Sequence, residues 1–276
     1  MMQTRGSRLA EFVRRRFHDT DFRFWARLQY ELIYLWPTGG LYSTFNFGVA
    51  PADPDIVPSD SVAEDRFQLQ LYRDLFGFGR QAGLSDRSIR LVEVGAGIGG
   101  GLDALRRDAE FASLIGIEPA RTACWMGRRR FGVDLRPTTA EATGLPDAES
   151  DALMVIDSVS AFPDVPGFFR EAARVLAPGG LLLLAIQTPN PETDLPPWVR
   201  VFGQRAGLDF VADKSISEEV RTALIEDQPR RERIVRRVPF FLRSYARELF
   251  ALEGSVRYGQ VVARERSYFL AALRKP

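Results

Sequence analysis

The chain has 276 residues, 37 basic and 36 acidic side chains, a net charge of +1 and a single cysteine, Cys124. That length suits one core domain with additions, and 45% hydrophobic with 26% charged residues is the balance of a soluble globular protein. The near-zero charge excludes a global field that would draw nucleic acid, and one cysteine excludes both an intramolecular disulfide framework and a cysteine-cluster metal site.

Residues 8–18 and 20–36 have the spacing of amphipathic helices. Leu9, Phe12, Val13 and Phe17 share a stripe against Arg14, Arg15 and Arg16; Phe22, Phe24, Trp25, Leu28, Leu32 and Leu35 alternate with Arg23, Arg27 and Glu31. Such faces pack on their own protein, with at most a transient contact with an anionic membrane surface as the other reading. The N-terminus lacks the apolar core of a signal peptide, and no apolar run reaches the roughly 20 residues of a membrane span, so a cytoplasmic protein is expected. Leu41–Val49 is an aromatic loop, Pro51, Pro54 and Pro58 keep the next segment extended, and Asp65–Ala82 is a helix.

Arg90–Val94 reads as a buried strand that runs through Gly95, Gly97 and Gly99 into a helix over Leu102–Asp108. Glycine has no Cβ and accepts positive φ, so this bend lets backbone approach a ligand, at a helix N-terminus with unpaired N–H groups. Ser113–Ile117 is a second strand closing on Glu118, and Pro119 stands in the first turn of a helix that runs to about Phe131. Strands at Val133–Arg136, Asp151–Ile156 and Leu181–Ile186 follow, with a helix over Val165–Leu176 that Ala177-Pro-Gly-Gly180 stops. Between Thr188 and about Arg247 the alternation breaks into prolines and charged helices (Ser217–Glu226, Arg230–Arg237, Phe240–Leu252), which reads as an inserted lid; Ser267–Leu273 is a last strand. The arginine run 230–237 reads as a solvated helix face rather than a phosphate site. The domain expectation is thus a helical cap and aromatic loop over 1–64, a core over 65–187, a lid over 188–252 and a sheet-completing segment over 253–276.

Gly95, Gly97 and Gly100 also fit the G-x-G-x-x-G dinucleotide register, so the bend alone leaves a nicotinamide or flavin oxidoreductase open beside an S-adenosylmethionine (SAM) site. Glu93 lies two positions before the first glycine and Glu118 closes the second strand 23 residues after Gly95. Glu141-Ala-Thr-Gly-Leu-Pro146 precedes the fourth strand, Asp157 ends it, and Arg174-Val-Leu-Ala-Pro-Gly-Gly180 follows. As a set these motifs resemble class I SAM-dependent methyltransferases over about residues 65–190 and the last strand. Tyr42-x-x-x-Asn46-Phe-Gly48 and the closing segments Pro239–Arg243, Arg247–Phe250 and Ser267–Phe269 resemble the phthiotriolone and phenolphthiotriolone dimycocerosate O-methyltransferases.

The resemblance implies an α/β, Rossmann-like, doubly wound seven-stranded sheet with a helical cap and lid. It implies SAM as cofactor, S-adenosylhomocysteine as product, and a small apolar acceptor methylated on oxygen; monomer and homodimer stay open. Gly95, Ala96, Gly97 and Gly99 would pass beneath the methionine moiety and Glu93 would bind its ammonium. Glu118, followed by Pro119, would accept both ribose hydroxyls. Glu141 and the Ala142 N–H would face the adenine edge, and Asp157 and Ser158 would border donor and acceptor. Tyr42, Phe45, Asn46, Phe47, Phe162, Trp198, Phe202, Phe240 and Phe241 would line the acceptor pocket, core packing being the alternative for the apolar ones.

One departure from the family stands out. Relatives carry a Ser-His pair after the fourth strand, whereas this chain reads Asp157-Ser-Val-Ser-Ala-Phe-Pro163, with Ser160 in the histidine's place and the sole histidine, His18, far away. A serine hydroxyl is no base near neutral pH. Either the acceptor ionises easily, or a carboxylate such as Asp157 takes the proton, or the fold binds SAM for other work, as a cyclase or binding module.

Overall fold

The computed structural model describes Glu31 and residues 42–51, 64–85, 88–188, 191 and 194–276. The helices expected at 8–18 and 20–36, and His18, lie outside the described residues apart from Glu31.

Helix α1 (Arg66–Gln81) precedes an alternating core of β1 (Ile89–Val94), α2 (Gly100–Asp108), β2 (Phe111–Ile117), α3 (Arg121–Phe131), β3 (Asp134–Arg136), β4 (Ser150–Ile156), α4 (Val165–Val175) and β5 (Leu176–Thr188). The chain continues through α5 (Pro197–Arg205), β6 (Asp209–Ser215), α6 (Ser217–Glu226), α7 (Gln228–Arg236), α8 (Arg243–Leu249) and α9 (Val256–Val262) to β7 (Ser267–Arg274). The seven strands form one sheet in the order β3-β2-β1-β4-β5-β7-β6. β1 to β5 pair in parallel, and β7 enters antiparallel between β5 and β6. The Rossmann-like methyltransferase sheet expected from the motifs is the sheet observed.

Alternation along the strands explains the layering. Leu91, Met154, Leu183 and Leu270 face α1, α2 and α6, whereas Val92, Leu153, Leu184 and Phe269 face α4 and α5. Both faces are covered, which is why the central strands are almost wholly aliphatic. α1 comes close to the sheet at Gly79, where an added Cβ would stand 2.6 Å from a Leu183 methyl.

Several boundaries differ from the sequence reading. β6 lies inside the interval expected to be lid. It is an edge strand whose residues are exposed or half-buried, and Asp209, Asp213 and Lys214 blunt it, so it lacks the apolar alternation of a covered strand. α4 ends at Val175 and β5 starts at once, with Gly179 at φ +80° making the bend within it. Pro119 precedes the helix instead of standing in its first turn, because the Glu118 carboxylate accepts the Ala120 N–H at 2.9 Å and delays helix entry to Arg121. The helix expected over Phe240–Leu252 is split into a 3₁₀ turn, Phe240–Leu242, and α8. Among the described residues no helix is long and apolar enough to cross a membrane.

Candidate active site

The glycine bend forms at the carboxyl end of β1. The Gly95 and Ala96 N–H groups donate to the Ile117 carbonyl at 2.8 and 3.1 Å, which pins the bend to β2. Gly95 has φ +81°, and a Cβ there would run into the Ser158 side chain, so a larger residue is excluded both by conformation and by space. Gly97 and Gly99 also have positive φ, and Gly99 is the N-cap of α2.

Two buried carboxylates flank this bend. Glu118, 6% exposed, accepts the Gly97 N–H on Oε2 at 3.0 Å and the Ala120 N–H on Oε1 at 2.9 Å. Burial raises its pKa, and the two N–H groups pull the other way. Each oxygen keeps a further lone pair, so a diol could still be accepted in two hydrogen bonds. Glu93, 1% exposed, accepts the Tyr72 hydroxyl on Oε1 at 2.6 Å, while Oε2 is buried without a hydrogen-bond partner. Burial pushes its pKa up to about 8; the Tyr72 bond opposes this and the Glu118 charge adds to it. A buried carboxylate oxygen left open beneath a glycine bend fits a cationic or hydrogen-bond-donating ligand group. Tyr72 fits only because Gly101 has no side chain, since a Cβ there would enter its ring.

Asp157 closes β4 in the left-handed region, φ +55°, an unfavourable backbone state for a non-glycine residue and one that clusters at functional sites. Its Oδ2 accepts the Phe47 N–H at 3.1 Å. The buried Tyr268 hydroxyl faces it without reaching hydrogen-bond geometry. Burial lifts the Asp157 pKa to about 6, offset in part by Tyr268, the Phe47 N–H, Arg257 and Arg231. Ser158 donates to the carbonyls of Ile156 and Gly95, stitching the end of β4 to the bend.

The aromatic loop is held over this end of the sheet by groups remote in sequence. Ser43 donates to Asp65 and packs on Gly100. Arg231, 4% exposed, donates to the Phe47 carbonyl at 2.7 Å, the Phe250 carbonyl at 2.9 Å and Asp227 at 2.9 Å. Asp227 also receives Arg230 and, from α1, Gln68. The arginine run is therefore not a uniformly solvated face: Arg230 and Arg231 are buried because Asp227, three and four residues earlier, pairs with both.

The expected site residues divide into those the fold brings together and those it does not. Glu93, Gly95, Ala96, Gly97, Gly99, Glu118, Asp157 and Ser158 surround the bend, with Pro119 beside Glu118; Phe47 lies on the Asp157 side against Tyr268, and Phe45, 39% exposed, packs on Phe250. Glu141 accepts the Asp164 N–H at 3.2 Å through Oε1 and keeps acceptor capacity on Oε2, whereas the Ala142 N–H closes a turn onto Thr139 at 3.3 Å and is engaged there. The Asn46 side chain serves its own loop, accepting the Gly48 N–H at 2.8 Å and donating to Gln68. Tyr42 is buried against Phe250. Phe162, Trp198 and Phe202 pack with Phe168 and Phe169 on the opposite face of the sheet, and Phe240 and Phe241 point into solvent. Ser160 is exposed in a 3₁₀ turn and cannot serve as base there either. Tyr72, Arg231 and Tyr268 were not among the expected site residues.

A glycine bend between a parallel strand and a helix, with an acid ending the neighbouring strand, is an arrangement on which open α/β sheets hold nucleoside-bearing cofactors. Comparison with known proteins identifies which. A methyltransferase domain model matches residues 92–184. The fatty-acid O-methyltransferase of Mycolicibacterium smegmatis is 30% identical over 205 residues, 72% of each chain. The probable phthiotriol/phenolphthiotriol dimycocerosates methyltransferase 2 of Mycobacterium ulcerans is 29% identical over 215 residues, 76% of this chain and 80% of that one. The [4+2]-cyclase SpnF superposes with a TM-score of 0.70 at 19% identity, covering 90% of this chain and 94% of its own. The geranyl diphosphate C-methyltransferase of Streptomyces coelicolor A3(2) does so at 0.62 and 17%, covering 91% and 98%. These two likenesses establish the fold alone. The chain belongs to the SAM-dependent methyltransferase family, and SAM is its methyl donor.

Proposed function

We propose that this methyltransferase acts on an oxygen of a lipid- or polyketide-like apolar acceptor, and that Asp157 receives the acceptor's proton. The observation that carries the reading is Asp157, a raised-pKa carboxylate in a strained backbone state beside the glycine bend, under the Phe45–Phe47 loop. The names of the two curated relatives, a fatty-acid O-methyltransferase and a phthiotriol methyltransferase, support an apolar acceptor.

When bound, SAM supplies an electrophilic methyl group on a sulfonium. Glu118 would accept the ribose hydroxyls, Glu93 with its open Oε2 would receive the ammonium, and the Gly95–Gly99 backbone would hold the methionine moiety. On the other side Phe47 and Tyr268 exclude water and hold the acceptor's apolar body. On methyl transfer to an acceptor hydroxyl, which would leave S-adenosylhomocysteine, the hydroxyl proton would pass to Asp157, which is ionised above about pH 6. An acceptor carboxylate carries no such proton and needs no base.

Incubation with methyl-labelled SAM and a panel of long-chain acids and alcohols tests this. Labelled methyl esters or ethers are expected. Label confined to carbon or nitrogen acceptors, or none at all despite SAM binding, would contradict the proposal. Asp157→Asn should cost about 10²–10⁴-fold in kcat on an alcohol, the usual worth of a general base, and far less on an acid.

A further inference from the structure

Phe240 and Phe241 are 81% and 69% exposed, and Leu242 and Tyr245 beside them are 40% and 43% exposed. The two phenyl rings meet each other edge-on at 5.6 Å instead of joining a core cluster. Their turn is nevertheless firmly built. The Leu242 N–H donates to the Pro239 carbonyl at 2.9 Å, Arg243 donates to the Val238 and Arg236 carbonyls at 2.9 Å each, and Val238 packs on the cluster that joins α3, α7 and α8. An apolar tip on a fixed base is costly in water unless something covers it.

The surrounding charge indicates what that is. Between Gln228 and Arg247 there are seven arginines and a single acid, Glu232. Arg230 and Arg231 are consumed by Asp227, Arg236 pairs with Glu232, and Arg233 pairs with Glu64. Among the described residues, Arg243 and Arg247 are held by carbonyl oxygens alone, which leave their charge unneutralised. On α3, which shares that cluster, Trp125 is 62% exposed. Exposed aromatic rings beside the charges of Arg243 and Arg247 complement the boundary between anionic headgroups and acyl chains.

We infer that the Phe240–Tyr245 turn docks the protein on an anionic lipid surface, with the phenyl rings in the headgroup boundary and Arg243 and Arg247 on the headgroups. An apolar acceptor partitions into such a surface, so docking brings the crevice to it; in this clause alone the inference rests on the proposed function. The test uses no turnover, so either can fail without the other.

The full chain is sedimented with vesicles of phosphatidylcholine alone or with about a third phosphatidylglycerol, at low and high salt. Binding is expected to the mixed vesicles at low salt, and to be about tenfold or more weaker for the double variant Phe240→Ser with Phe241→Ser, whose Tm should equal that of the wild type because the rings bury little. Equal binding by the variant, or no binding by the wild type to either vesicle, would overturn the inference. So would a fall of several degrees in the variant's Tm, which would mean that another part of the chain or a second copy covers the rings.

Discussion

The two sides of the crevice are assembled differently. On the glycine-bend side, contacts close over short stretches: Gly97 to Glu118 and Tyr72 to Glu93 each span 21 residues. On the Asp157 side they span 110 residues from Phe47 to Asp157, 159 from Gln68 to Asp227 and 184 from Phe47 to Arg231. The first side is a strand–turn–helix unit with one additional carboxylate, which any chain of this topology can carry. The second is a loop with no secondary structure of its own, kept in place by a buried arginine that spends its donors on two backbone carbonyls and one carboxylate. A bend needs glycine to approach a ligand; a loop needs an anchor to approach anything reproducibly.

Removing the anchor should have the largest effect. Arg231→Met leaves Asp227 short of a buried partner and two carbonyls without a donor, which should cost about 3–5 kcal/mol in urea unfolding, the range for breaking a buried pair. Arg236→Met, whose side chain is 75% exposed, should change stability by no more than about 0.5 kcal/mol. Equal effects for the two arginines would erase the distinction between anchored and solvated charge.

The next effect reads the bend side through pH. The folded-state pKa of Glu93 lies near 8 against an ordinary 4.5, with Tyr72 and Glu118 as its titratable neighbours. The folded protein therefore holds this proton where the unfolded chain has lost it. Stability contributed by protonated Glu93 is present below about pH 4.5 and declines as pH rises toward 8, at up to about 1.4 kcal/mol per pH unit. Glu93→Gln, which cannot ionise, should flatten this decline when unfolding free energies are compared between pH 5 and 8. Parallel pH profiles would mean that Glu93 is not buried as described.

A smaller effect tests close approach. Gly95→Ala adds a side chain at positive φ and pushes on Ser158, a strain of about 1–3 kcal/mol that should appear as SAM binding weakened by roughly tenfold or more in calorimetric titration. Adding Ser158→Gly should recover part of it by opening space. If Gly95→Ala binds as well as the wild type, the bend does not need to come that near its ligand.

The same contrast explains what the amino-acid order made legible. The strand ending in Glu93-Val-Gly-Ala-Gly, the acid at 118 and the aliphatic β5 stood out because local period and motif coincide there. Arg230 and Arg231 did not, because a run of arginines reads as solvated unless Asp227 is known to lie on the same helical face and Gln68 above it. β6 escaped notice because an edge strand is guarded by charges that hide its period. Trp198 and Phe202 suited a pocket and a core equally, because an aromatic in a proline-rich stretch has no visible partner until α5 is seen to pack on Phe169. Phe240 and Phe241 misled for the opposite reason, apolar residues being read as enclosed when these face outward.

On this reading the SAM ribose is held by the carboxylate of Glu118, the residue that follows β2. Calorimetric titration of SAM into wild type and Glu118→Ala tests it most directly. A loss of about 1–3 kcal/mol is predicted, the range for hydrogen bonds to a charged group, or about five- to 150-fold in Kd. An unchanged Kd, with the variant's unfolding curve confirming that it is folded, would contradict it.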